Sequence, residues 1–290
     1  MDRRSFLAAF ALLLSGCTPR SSGVTVGSKN FTEQLVLGEL LAQYLGRSTA
    51  PIDRRFYLAG SYICHQALLA GRIDMYVEYT GTALVAILKE KPVSDHAAVF
   101  NTVKDLYSRR FGLEVFPSLG FDNTFAMVMR GNDTRRLRLK TLSDAAAISS
   151  QLRLGVGYEF LERPDGYKGL AAKYGLQFAE PRVMDLGLLY RALQNNQVDI
   201  VAGSNTDGLI AALDLVVLED DRHYFPPYDA VPIVRPATLD RHPEVAAGLQ
   251  KLSGRITADD MRRMNYAVDG EKKDAAAVVK DFLARTLYLL

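Results

Sequence analysis

Tryptophan is absent from this chain of 290 residues, and cysteine occurs only at Cys17 and Cys64. The first absence excludes a binding site walled by indole rings. The second allows at most one disulfide, and none if Cys17 is modified. Charge is nearly balanced, with 35 Lys and Arg against 33 Asp and Glu, so nothing points to a nucleic-acid partner. No apolar run reaches the roughly 20 residues needed to cross a bilayer. Enzyme motifs are missing too. There is no Gly-x-Ser-x-Gly elbow and no phosphate-binding glycine loop. His65, His96, His223 and His242 are scattered singly, without metal-ligand spacing. Asp74 and Glu78, four apart, read as a strand-end aspartate and a surface or turn carboxylate rather than an acid–base pair. Catalysis, a metal and a cofactor are therefore not expected.

What is present begins with a targeting signal. Asp2-Arg3-Arg4 precedes an unbroken apolar run from Phe6 to Leu14, short for a membrane span but suited to export. Leu14-Ser15-Gly16-Cys17 then resembles the bacterial lipobox, in which the Cys is lipidated and becomes the mature N-terminus. Arg3-Arg4-Ser5-Phe6-Leu7 is a partial match to a twin-arginine signal. Residues 1–17 are read as signal and lipobox, and 18–23 as a tether. Cys64, beside the apolar run Ala67–Ala70, is expected to be buried.

At 290 residues two domains are expected. Val24-Thr25-Val26 reads as a strand ending at Gly27-Ser28-Lys29, and apolar residues at helical spacing follow from Leu35 to Leu45. That is the strand–turn–helix unit of an α/β domain. Ala67–Asp74 and Ala192–Asp199 echo one another as helix ends running into strands, which suggests two similar lobes. Phe121–Met129 and Val231–Val234 read as the two crossings between lobes, and Arg130–Lys140 as a surface connection. The expected fold is a two-lobed α/β periplasmic-binding-protein fold with two crossing hinge strands. Lobe one would hold 24–121 and 230–290, and lobe two 122–229. Hinged lobes close on a ligand between them.

Four segments carry a family signal. They are Gly27–Gln34 (GSKNFTEQ), Asp74–Thr82 (DMYVEYTGT), Phe160–Tyr167 (FLERPDGY), and Thr206–Ile210 followed by Leu215–Tyr228. In this order they resemble the motifs of osmoprotectant-binding proteins of ABC importers, the glycine betaine, choline and carnitine branch. The resemblance implies a binding protein that presents its ligand to a membrane permease; with the lipobox at Cys17, an exported, lipid-anchored monomer is expected. Two alternatives stay open beside it: a binding protein for an amino acid or other zwitterion, whose carboxylate Lys29 and Arg163 would serve equally well, and an enzyme on a related two-lobed fold.

A trimethylammonium group has charge but no N–H donor, so aromatic faces hold it through their quadrupole. A carboxylate suits a cation, and Arg grips it with two parallel bonds. By resemblance, the cage positions fall on Tyr79, Phe125, Ser204 and Tyr228, with the Asn123 backbone near the methyl groups. The carboxylate positions fall on Lys29, Thr82 and Arg163. Taken alone, Tyr79 and Tyr228 read equally well as half-buried lobe-edge residues, Phe125 as core, Lys29 as a solvated lysine and Arg163 as a loop anchor. Ser204 departs from the family pattern, which has tyrosine there, and one cage wall lacks its ring. Either glycine betaine binds poorly, or the space admits a larger betaine such as carnitine or a histidine-derived one like ergothioneine.

Overall fold

The structure is a computed structural model that describes residues 23–49 and 51–286. Cys17, the signal at 1–17 and most of the tether lie outside the described residues. Among those described, no helix is long and apolar enough to cross a membrane.

The strands are β1 (Val24–Gly27), β2 (Ile52–Arg55), β3 (Met75–Tyr79), β4 (Glu114–Val115), β5 (Phe125–Arg130), β6 (Leu154–Val156), β7 (Arg182–Val183), β8 (Ile200–Ser204), β9 (Leu215–Val217) and β10 (Ala230–Val234). They form two five-stranded sheets, ordered β2-β1-β3-β10-β4 and β7-β6-β8-β5-β9. In the first, β1 runs parallel to β2 and β3, and β10 lies antiparallel to β3 and β4. In the second, β6 is parallel to β7 and β8, and β5 is antiparallel to β8 and β9. Each sheet is the centre of one α/β lobe.

Both faces of each sheet are covered, which is how mixed, mainly parallel sheets bury their backbone. Along β3, Met75, Val77 and Tyr79 enter one core cluster, while Tyr76 enters the other. Along β5, Met127 and Met129 face one cluster, Ala126 and Val128 the opposite one. The helix Thr32–Leu45 buries Val36, Leu37, Leu40, Leu41 and Leu45 against the first sheet. The C-terminal helices Ala258–Asp269 and Ala275–Thr286 pack on it, through Met261, Met264, Val279, Phe282 and Leu283.

The sequence echo is an echo of hydrogen bonding. Ile73 N–H reaches the Ala67 carbonyl, and Val198 N–H the Ala192 carbonyl, each at 3.4 Å. Asp74 Oδ2 accepts from Thr25 N–H and Asp199 Oδ2 from Arg153 N–H, each at 2.9 Å. One joint, used twice, aligns a helix end with the first parallel strand of each sheet.

Three sequence expectations change. Arg130–Lys140 is not a plain connection, since Gly131–Leu137 is helical, with Asp133 in the first turn and Arg138 in the left-handed conformation that ends it. Asp74 stands at the strand end just before β3, as expected, but Glu78 is 0% exposed rather than at the surface. The four histidines do not all stand alone, because the fold brings His96 Nδ1 to 2.8 Å from Asp229 Oδ2, with Asp122 beside them. Asp122 and Asp229 form the antiparallel bridge where the chain passes between the lobes. Cys64 is fully buried, and burial pushes its thiol up to about 12.

Candidate functional site

A cavity of about 800 Å³ lies between the lobes, and all eight residues expected at a ligand site line it: Lys29, Tyr79, Thr82, Asn123, Phe125, Arg163, Ser204 and Tyr228. The fold explains the convergence. Lys29 follows β1 and Tyr79 ends β3, so both emerge at the carboxyl edge of the first sheet, where ligands of open α/β sheets bind. Phe125 begins β5 and Ser204 ends β8, and the two are direct partners across that antiparallel ladder. Tyr228 enters from the crossing just before β10, and Arg163 follows the short helix Tyr158–Glu162.

The aromatic residues form two groups on one cavity. Phe125 packs edge-on against Tyr228, with centroids 5.5 Å apart, and also touches Phe160 and Phe225. Tyr79 instead stacks with Phe31 at 6.4 Å. The Tyr228 ring lies over Gly81, where an added Cβ would sit 2.8 Å from two ring carbons and 2.6 Å from the Pro227 carbonyl oxygen. The helical segment Thr80–Thr82 therefore needs its glycine for that close approach.

The two expected carboxylate-binding cations are already paired. Lys29 is 2% exposed, bonds Glu78 Oε1 at 2.5 Å and Ser61 Oγ at 3.1 Å, and lies 4.4 Å from the Tyr79 centroid. Arg163 grips Asp165 through two bonds, with Nε 2.9 Å from Oδ1 and Nη2 2.5 Å from Oδ2. Its guanidinium sits 5.0 Å from the Phe125 centroid and 5.8 Å from that of Tyr228. Tyr228 hydroxyl donates to Asp165 Oδ2 at 2.6 Å. A lysine ammonium has three N–H donors and a guanidinium five, so both keep donors for an incoming anion.

Glu33 ties the site together. It is fully buried, and four donors converge on it: Tyr79 hydroxyl at 2.7 Å, Asn123 Nδ2 at 2.5 Å, Thr206 hydroxyl at 2.5 Å and Asn265 Nδ2 at 3.0 Å. Burial still pushes its carboxyl above the usual range, because the hydrogen bonds oppose the cost of desolvation without cancelling it. Asn123 thus spends its side-chain amide on Glu33, while its N–H donates to the Tyr228 carbonyl at 3.0 Å. Burial and neighbouring carboxylates raise the Tyr79 and Tyr228 phenols, so both rings stay neutral at physiological pH.

A second tie crosses the cavity mouth. Ser61 N–H, at the start of the helix Ser61–Leu69, donates to Glu159 Oε1 at 3.0 Å. A carboxylate from the second lobe thus caps a helix of the first, where the helix dipole favours negative charge. Around the mouth, Tyr57, Tyr62, Tyr158 and Val183 are at least half exposed.

Two α/β lobes joined by paired crossings, with an aromatic-lined cavity between them, define a solute-binding protein. The chain belongs to the family of substrate-binding domains of ABC-type glycine betaine transport systems, whose profile matches residues 22–285. It is 32% identical to a carnitine transport binding protein of Listeria monocytogenes over 302 residues, covering 99% of this chain and 98% of the other. It is 36% identical to an ergothioneine transport permease/ergothioneine binding protein of Helicobacter pylori, over 90% of this chain and 47% of that longer one. A crystal structure of a glycine betaine/carnitine/choline ABC transporter protein superposes with a TM-score of 0.75 at 34% identity, covering 90% of this chain and 98% of that one. This is a substrate-binding protein of an ABC importer.

Proposed function

We propose that the cavity captures a quaternary-ammonium solute and that the closed protein hands it to a membrane permease without chemical change. The observation that carries this reading is the presence of Tyr79, Phe125 and Tyr228 on one cavity wall system with Arg163 and Lys29. Rings attract a cation that has no N–H to offer, each face contributing on the order of 0.5–2 kcal/mol. The remaining donors of Lys29 and Arg163, with Thr82, receive a carboxylate where the ligand has one. Closing would join a lobe of residues 24–121 and 230–290 to a lobe of residues 122–229, in a monomer anchored by lipid at Cys17. Ligand contacts from both lobes favour the closed state.

Ser204 leaves a cage wall without a ring, and a face worth roughly 1.4 kcal/mol corresponds to about tenfold in affinity. Carnitine or a ring-bearing betaine fits that opening better than glycine betaine. Isothermal titration with choline, glycine betaine, carnitine, ergothioneine and ordinary amino acids tests the reading. Binding of one or more methylated ammonium compounds is expected, tightened for glycine betaine by Ser204→Tyr. Binding of ordinary amino acids alone would overturn it.

A further inference from the structure

The corner without a ring is not empty of chemistry. Ser204 faces Phe125 across the ladder, and side chains directly opposite in an antiparallel pair share one face. Beside Ser204 stands Asp207, which also lines the cavity. Its Oδ2 accepts the Ser204 N–H at 2.8 Å and the Tyr190 hydroxyl. Among the described residues, its Oδ1 takes no hydrogen bond and no Lys, Arg or His pairs with it. Tyr190, 7% exposed, lines the same wall.

The cations that line the cavity are already engaged elsewhere. Lys29 is answered by Glu78, and Arg163 by Asp165. Lys272 gives its ammonium to the Asp269 carbonyl at 2.5 Å. Asp207 faces Tyr190 from the helix Leu189–Gln194, Glu33 from the helix Thr32–Leu45 and Asp269 from the helix Ala258–Asp269. None of these is a cation. Burial, followed by repulsion from Glu33 and Asp269, pushes its carboxyl up to about 7, even though Tyr190 and Ser204 donate to it. A carboxylate held at a cavity wall without a counter-ion favours a ligand that brings one.

We propose that Asp207 is the counter-ion of the ligand's cationic head, with the Tyr190 ring as the wall behind it, so that charge replaces the missing ring at Ser204. The inference rests on the reading of the cavity as a quaternary-ammonium site. It makes that site selective for positive charge and not merely for a trimethyl shape.

A quaternary nitrogen does not titrate, and neither choline, glycine betaine nor carnitine changes charge between pH 6 and 8. Any pH dependence of binding in that window belongs to the protein. A bound cation favours the ionised Asp207 and lowers its pKa in the complex. Affinity therefore rises with pH and levels off above about 7. With an unliganded pKa of about 7, roughly one site in ten is ionised at pH 6; with the neutral form binding about tenfold more weakly, affinity falls about fivefold from pH 8 to pH 6.

The experiment is isothermal titration of these three compounds, and of the neutral carbon isostere of choline, dimethylbutanol, into wild type, Asp207→Asn and Tyr190→Phe at pH 6, 7 and 8. Asp207→Asn keeps an acceptor for the Ser204 N–H and is expected to lose about tenfold at pH 8, with a flattened profile. Dimethylbutanol should bind it as it binds wild type. Tyr190→Phe keeps the ring but removes a hydrogen bond to the carboxylate, which moves the midpoint of the profile to higher pH. If a quaternary ammonium binds wild type and folded Asp207→Asn alike, with the same pH profile, the counter-ion role is overturned. An unmoved midpoint in Tyr190→Phe overturns it as well, should Asp207→Asn fail to fold. If none of the three compounds binds wild type, the functional reading itself is overturned.

Discussion

The Thr206 hydroxyl donates to Glu33 Oε2 at 2.5 Å, and this buried bond joins the two lobes through a carboxylate that lines the cavity. The same carboxylate receives the hydroxyl of Tyr79, which lines the cavity, so the tie between the lobes also fixes one cavity wall. A hydrogen bond to a charged acceptor contributes about 1.5–3 kcal/mol. Thr206→Val, nearly the same size, is expected to weaken ligand binding by roughly tenfold or more. It should also expand the ligand-free protein in small-angle X-ray scattering. Unchanged affinity and dimensions would remove Glu33 from the closing mechanism.

Gly81 sets the position of the Tyr228 ring. In Gly81→Ala the new methyl group must displace either the ring or the Pro227 backbone, both within 2.8 Å. Ligand affinity is expected to fall about tenfold, comparable to loss of the face itself. Thermal unfolding monitored alongside separates a shifted ring from a damaged fold. Wild-type affinity in a folded Gly81→Ala protein would mean that Tyr228 does not touch the ligand.

At the cavity mouth, a Cβ on Gly60 would lie 1.8 Å from Glu159 Oε1. Gly60→Ala therefore evicts the carboxylate that caps the helix beginning at Ser61. Glu159→Ala removes the same contact from the other side. In a double-mutant cycle on ligand affinity, the two losses should not add, because the second change has nothing left to break. Additive losses would show that Gly60 and Glu159 act separately.

Which features the sequence disclosed follows from distance along the chain. The turns that carry Lys29, Tyr79 and Tyr228 are local, and their placement at strand ends brings them to one cavity. The repeated joint at Asp74 and Asp199 was visible for the same reason. Glu33 was not, although it lies inside the first motif, because its partners come from four other segments, one of them 232 residues away. Glu78 misled because every residue of β3 is buried, so no polar–apolar alternation marks a solvent face. Asp165 lies two residues beyond Arg163, a spacing that carries no helical pairing signal, and a short bend brings the two together.

Asp207 also makes stability depend on pH. Its folded carboxyl titrates at about 7, above the ordinary value of 3.8. The folded state binds that proton more tightly, so the stabilisation is fully present below the ordinary value and is lost as pH rises through about 7. Asp207→Asn escapes this loss. Without ligand, the stability of the variant relative to wild type should therefore grow between pH 5 and pH 8, by on the order of 2–4 kcal/mol. Chemical denaturation at the two pH values measures it, and a difference independent of pH would mean that Asp207 is not strained by burial.

In the proposed function a cation is held between the lobes by the rings that line the cavity. Isothermal titration of the tightest-binding quaternary ammonium into wild type, Tyr79→Ala and Tyr228→Ala tests it most directly. Each variant is expected to lose about tenfold or more in affinity while remaining folded. Wild-type affinity in both folded variants would contradict the account.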